Sequence, residues 1–136
     1  MPNPLDDLKN DHKLILDILD QVKKLGIGSS IGQEKLLSAK ALLLSHIRKE
    51  DERFYPPLFH AAEQNDSLKH TLKYFSDDME QVSRKAMDLF DKYAGGAFAD
   101  EFAGEIKLLY MMLKDRISTE EEVLFKKYEQ IGGSGP

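Results

Sequence analysis

A histidine and a glutamate four residues apart, His46 and Glu50, are the residues of this chain whose types and spacing most directly suggest chemistry. At i and i+4 they project from one helix face about one turn apart, so both can reach a single ion. Imidazole nitrogen with carboxylate oxygen suits iron, zinc or manganese, and the interior of a helical bundle is a recognised place for such a site. His12 adds a third donor, because it interrupts an otherwise apolar stripe where a polar side chain needs a partner. The chain has no cysteine, so thiolate zinc sites, iron–sulfur ligation, disulfides and cysteine nucleophiles are all excluded. No Gly-rich phosphate loop, His-Glu-x-x-His helix or nucleophile elbow is present, and nothing in the sequence indicates enzymatic turnover.

Helices must position these side chains. Leu5, Leu8, His12, Ile15, Leu19 and Val22 recur at three- and four-residue spacing, one stripe of an amphipathic helix, with Asn3 as N-cap and an end near Gly26. Ser30 and Gln33 form a capping-box pair before a second stripe of Leu36, Ala39, Leu43, His46, Ile47, Glu50 and Phe54, which Pro56-Pro57 should stop or kink. A third helix follows the caps offered by Asn65-Asp66-Ser67, with Leu68, Leu72, Phe75, Met79, Val82, Ala86 and Leu89 inward, and Ala94-Gly95-Gly96 breaks it. The fourth spans about Ala99 to Tyr128, with Phe102, Ile106, Leu109, Leu113, Arg116, Ile117, Glu120 and Leu124 on one side. No strand pattern appears. The expected fold is all-α, an antiparallel up-down-up-down four-helix bundle over residues 1–130, followed by a flexible tail at 131–136.

Length and charge narrow the partners. At 136 residues the chain is one domain, long enough to bury a core without a metal staple. Its net charge is −5 and its basic residues are scattered, so nucleic acid is not an expected partner. No apolar run approaches a membrane span, and Met1-Pro2-Asn3-Pro4 lacks the features of a signal peptide, which makes the cytoplasm the expected compartment. Leu108 to Leu113, with Met111 and Met112 among them, form an apolar run that suits either a central helix or a homodimer contact.

The two halves also resemble each other. His46-Ile47-Arg48-Lys49-Glu50-Asp51-Glu52-Arg53-Phe54-Tyr55 aligns with Arg116-Ile117-Ser118-Thr119-Glu120-Glu121-Glu122-Val123-Leu124-Phe125, sharing the isoleucine, the glutamate at i+4 and two bulky residues. On a helical wheel Glu120 turns inward like Glu50, with Glu121 at the margin.

These residues resemble the hemerythrin-like family of HHE cation-binding domains, whose half-repeats each carry a helical histidine followed by a His-x-x-x-Glu helix. Asp11-His12 and His46-Ile47-Arg48-Lys49-Glu50 carry the resemblance in the first half, and it extends to about Tyr128. It implies a non-haem iron centre, often of two irons, used with dioxygen, nitric oxide or iron itself. His12, His46, Glu50 and Glu120 are the expected metal ligands, with His70 as a further candidate because some family members draw a ligand from the start of the third helix.

The second half departs from that pattern. Arg116 stands where a histidine is expected, and guanidinium has no lone pair for a metal. About 5 Å from a dication, at an effective dielectric of about 20, its charge costs on the order of 7 kcal/mol unless carboxylates offset it. A two-metal centre is therefore compromised, and Arg116 is expected to pair with Glu50 or Glu120. Met79, with Asp78 beside it, takes the place that His12 has in the first half, and His70 points away from the stripe on an ideal wheel. Two readings follow. One is a metal-binding bundle, with iron, zinc or manganese, that binds or senses a diatomic ligand or handles iron; the other is a metal-free bundle acting as a regulatory or interaction module.

Overall fold

The computed structural model describes residues 4–94 and 99–132. Six α-helical segments form four rods: α1 (Pro4–Leu25), α2 (Ser30–Lys49) continued by α3 (Tyr55–Ala62), α4 (Asp66–Tyr93), and α5 (Ala99–Thr119) continued by α6 (Phe125–Gly132). Short connections set successive rods antiparallel. α1 packs on α2 and α5, and α4 packs on α2, α3 and α5, which is the up-down-up-down four-helix bundle expected. No strand occurs among the described residues. Asn3 and the 133–136 stretch lie outside them, as do Gly95 and Gly96 of the expected break, although α4 ends at Tyr93 as anticipated.

The connection from α1 to α2 needs glycine twice. Gly26 has φ +74°, a left-handed conformation that lets its N–H close the helix on the Val22 carbonyl at 2.8 Å. A Cβ on Gly32 would fall 1.8 Å from the Gly26 carbonyl oxygen, so α2 can start against this turn only with glycine there. The cap of α2 differs from the expected Ser30/Gln33 box. Ser29 is the N-cap, its Oγ accepting from the Gly32 N–H at 3.1 Å, while the Gln33 amide donates to the carbonyls of Ile27 and Tyr93. The loop carbonyls need a donor more than the helix start does. Asn65 caps α4 as expected, accepting from the Leu68 N–H.

Both broken rods join through a π-helical turn. At Glu50–Phe54 the Tyr55 N–H reaches back five residues to the Glu50 carbonyl, and at Glu120–Leu124 the Phe125 N–H reaches the Glu120 carbonyl. An i→i+5 turn inserts one extra residue, so two consecutive bulky side chains face inward: Phe54 with Tyr55, and Leu124 with Phe125. Pro56 and Pro57 do not end the rod; of the stop or kink expected there, the structure has an interruption of the α-helix just before them, at the π turn. They fall in the first turn of α3, just after the register changes, where proline's fixed φ suits a helix start. The helix runs on to Ala62.

Burial divides the core into two apolar clusters. One, toward the α1–α2 connection, holds Ile15, Leu19, Leu36, Leu43, Val82, Ala86, Ile106 and Leu113; the other holds Leu5, Leu8, Phe54, Leu58, Leu72, Phe75, Leu124 and Phe125. Every rod passes from one cluster into the other, and the residues between them on each rod form a polar layer. Leu108 and Met111 are exposed, so the apolar run of α5 does not reflect a central position in the bundle. Phe54 is fully buried with its ring centroid 5.2 Å from those of Phe125 and Tyr128. Phe54→Ala should lower unfolding free energy by about 3–5 kcal/mol, measured by denaturant titration; a loss below about 1 kcal/mol would mean the second cluster does not carry the fold.

Candidate metal centre

The layer between the two clusters contains Asp11 and His12 on α1, His46 and Glu50 at the end of α2, and Arg116 and Glu120 at the end of α5, all buried. These six are all the buried polar or charged residues among those described. One donor atom from each of His12, His46, Glu50 and Glu120 lies within 4.8 Å of the others, and this is the one group of its kind among the described residues. Each π turn begins at its glutamate, so the widened turn starts where the carboxylate enters the layer. Rings close the layer tightly: His12 lies 4.6 Å from His46, centroid to centroid, and stacks on Phe125 at 5.7 Å.

Hydrogen bonds fix which nitrogen of each imidazole faces the centre. His46 Nδ1 lies 3.1 Å from Asp11 Oδ2, and His12 Nδ1 lies 2.7 Å from Glu121 Oε2. A carboxylate can only accept, so each Nδ1 carries the proton and donates it outward, which leaves the Nε2 lone pairs pointing inward. There they meet more lone pairs. His46 Nε2 is 3.2 Å from Glu50 Oε1, and His12 Nε2 is 3.3 Å from Glu120 Oε1. His46 Nε2, Glu50 Oε2 and Glu120 Oε1 are buried without a hydrogen-bond partner. Acceptors at this distance repel one another unless a positive charge sits among them, and a cation with nitrogen and oxygen ligands satisfies all four residues at once. The donor set thus fits a metal.

The carboxylates respond to the same crowding. Burial pushes the Glu50 carboxyl well above its ordinary value near 4.5, and the facing Glu120 adds to the rise by hydrogen bonding and like charge. Glu120 is held lower: burial works to raise it, but its contact with Glu50 and the neighbouring His12 and His46 outweigh that. Asp11 is also lowered, since bonds to His46 and to Lys49, whose Nζ lies 3.0 Å away, exceed the cost of burial. Burial, with the charges of Glu120 and Glu50, raises the Tyr55 phenol, so it remains protonated.

His70 is not part of this group. It lies on the exposed side of α4, which begins as a regular capped helix, so the irregular start that would have turned it inward does not occur. Arg116 is buried as the wheel indicated but pairs with Asp78 on α4 rather than with Glu50 or Glu120. Its guanidinium carbon also lies 4.4 Å over the Phe75 ring. α4 packs on α5, and that packing brings Asp78 to the guanidinium. Sequence reasoning had not assigned Asp11 and Glu121 their part in orienting the histidines. The adjacency of Asp11 to His12, and of Glu121 to Glu120, is the only signal they left.

The family model of the hemerythrin HHE cation-binding domain matches residues 3–128, nearly the whole chain. No curated protein and no solved structure matches it.

Two outcomes are expected of this geometry. Asp11→Asn takes away the carboxylate that orients His46 and should weaken zinc(II) affinity about 10–100-fold, by competition titration, with helical content retained; unchanged affinity would remove Asp11 from the centre. Glu50 is protonated in the folded metal-free protein at pH values where it ionises in the unfolded chain. Its contribution to stability is therefore complete below about 4.5 and is lost as pH rises toward its elevated folded value. Glu50→Gln, uncharged throughout, should raise the melting temperature of the metal-free protein by a few degrees at neutral pH. That gain should disappear below about pH 4.5; a gain of equal size at both pH values would show that ionisation is not its source.

Proposed function

The chain belongs to the hemerythrin HHE cation-binding family, and on that premise we propose that His12, His46, Glu50 and Glu120 hold a non-haem iron. The role proposed is binding or sensing of a small ligand, dioxygen or nitric oxide, or the handling of iron. The observation that carries this reading is the set of unpartnered acceptor atoms, His46 Nε2, Glu50 Oε2 and Glu120 Oε1, gathered with His12 in a layer closed to water on both sides. A bound ion would supply Lewis acidity and coordination positions that protein donors leave open.

The residues of the chain prepare that centre. Asp11 and Glu121 orient the imidazoles, the carboxyl proton of Glu50 must leave as the ion enters, and metal uptake therefore weakens as pH falls. Mixed imidazole and carboxylate donors suit iron and also admit zinc and manganese. The metal-free module drew its support from Arg116, and the pairing of Arg116 with Asp78 offsets the charge that argued against an ion. No helix among the described residues is long and apolar enough to cross a membrane.

Protein purified without chelator should contain iron by elemental analysis, and an optical spectrum under air should show absorption beyond that of its tyrosines. His46→Ala should lower the metal content at least tenfold while circular dichroism retains the helical signal. Metal content unaltered by this change would refute the assigned ligands.

A further inference from the structure

We infer that the centre is built for a single ion, and that the Arg116–Asp78 pair occupies the half of the polar layer where a second ion would otherwise sit. The inference rests on the metal-binding reading above and adds the number of ions and the residue that sets it.

Four observations meet here. The internal repeat is structural as well as sequential, because both π turns start at a buried glutamate, Glu50 and Glu120, with the same five-residue backbone bond. Second, the partners of the two turns correspond. Asp11 on α1 accepts from His46, one turn before Glu50; Asp78 on α4 accepts from Arg116, one turn before Glu120. The residue after each aspartate is His12 in one half and Met79 in the other. Third, α4 runs from Phe75 in one apolar cluster to Val82 in the other, so Asp78 and Met79 cross the same layer that holds the ligands. Where the first half has His12 and His46, the second has Met79 and the buried Arg116 cation, whose counter-ion Asp78 is partly exposed.

Charge supplies the fourth. Glu50 and Glu120 bring two negative charges once both are ionised, and His12 and His46 are neutral as donors, so one divalent ion balances the layer. A second would compete for carboxylates already engaged: Asp78 by Arg116, Asp11 by His46 and Lys49, and Glu121 by His12. An unbalanced dication in a desolvated layer beside a guanidinium is strongly disfavoured. Met79 itself lines a groove of about 300 Å³ with Ile47, Asp51, Tyr55, Glu80 and Ser83, which neither Arg116 nor any of the four ligands lines.

The test is zinc(II) titration of the metal-free full chain, read by native mass spectrometry and elemental analysis. Wild type should take one ion per chain, and Met79→His/Arg116→His, which restores both imidazoles and removes the guanidinium, should take two. Two ions in wild type, or one in the double variant with its helical content intact, would overturn the inference while leaving the metal-binding reading in place. No ion in wild type would instead sink the reading beneath it. Asp78→Asn, a change at a partly exposed position that leaves the guanidinium without its counter-ion, should keep one ion but bind it about tenfold more weakly. Unchanged zinc affinity in that variant would mean that Arg116 exerts no charge at the centre.

Discussion

Four acceptor side chains with too few protons among them are the constraint around which this bundle is organised. His12, His46, Glu50 and Glu120 are taken out of water by apolar clusters above and below, and their lone pairs face one another at little more than 3 Å. Burying unpaired acceptors is costly, and the cost is higher where water cannot enter to screen them. The opposed shifts of Glu50, raised, and Glu120, lowered, express that crowding. A cation relieves it, because one charge satisfies all four groups. The same desolvation that strains the empty layer therefore provides the driving force for binding, and the rest of the core is a frame that holds this layer closed.

The π turns show how the frame and the centre are joined. An α-helix carrying Glu50 inward would turn the next aromatic partly away, whereas the extra residue lets both Phe54 and Tyr55 face the interior, and Leu124 and Phe125 do the same on the opposite rod. Phe125 then stacks against His12, so the widened turn places a carboxylate in the layer and a ring on top of it within five residues. Orientation comes from the outer hydrogen bonds. Asp11 is itself held by Lys49, which makes the direction of the His46 ring depend on an ion pair between α1 and α2.

The halves differ in chemistry but share one geometry. An aspartate on one rod meets the first residue of the x-x-x-Glu motif on another, as an acceptor–imidazole pair in the first half and an acceptor–guanidinium pair in the second. Guanidinium is always charged and brings five donors, so it can satisfy Asp78 at the edge of the layer without an ion. Phe75 beneath it provides a favourable face for the cation.

Helix number, the inward stripes and three of the four converging side chains could be read from spacing alone, because three- and four-residue recurrence directly encodes which face of a helix is buried. Glu120 was legible through the repeat with Glu50. The partner of Arg116 could not be read, nor could the exposure of His70 or the continuation of α2 past two prolines. Each of these depends on where a second helix passes or on a shift of backbone register, and a linear pattern holds no record of either. The amino-acid order decided which side chains leave water together; only the packing of α4 on α5, and the extra residue in each π turn, decided which of them touch.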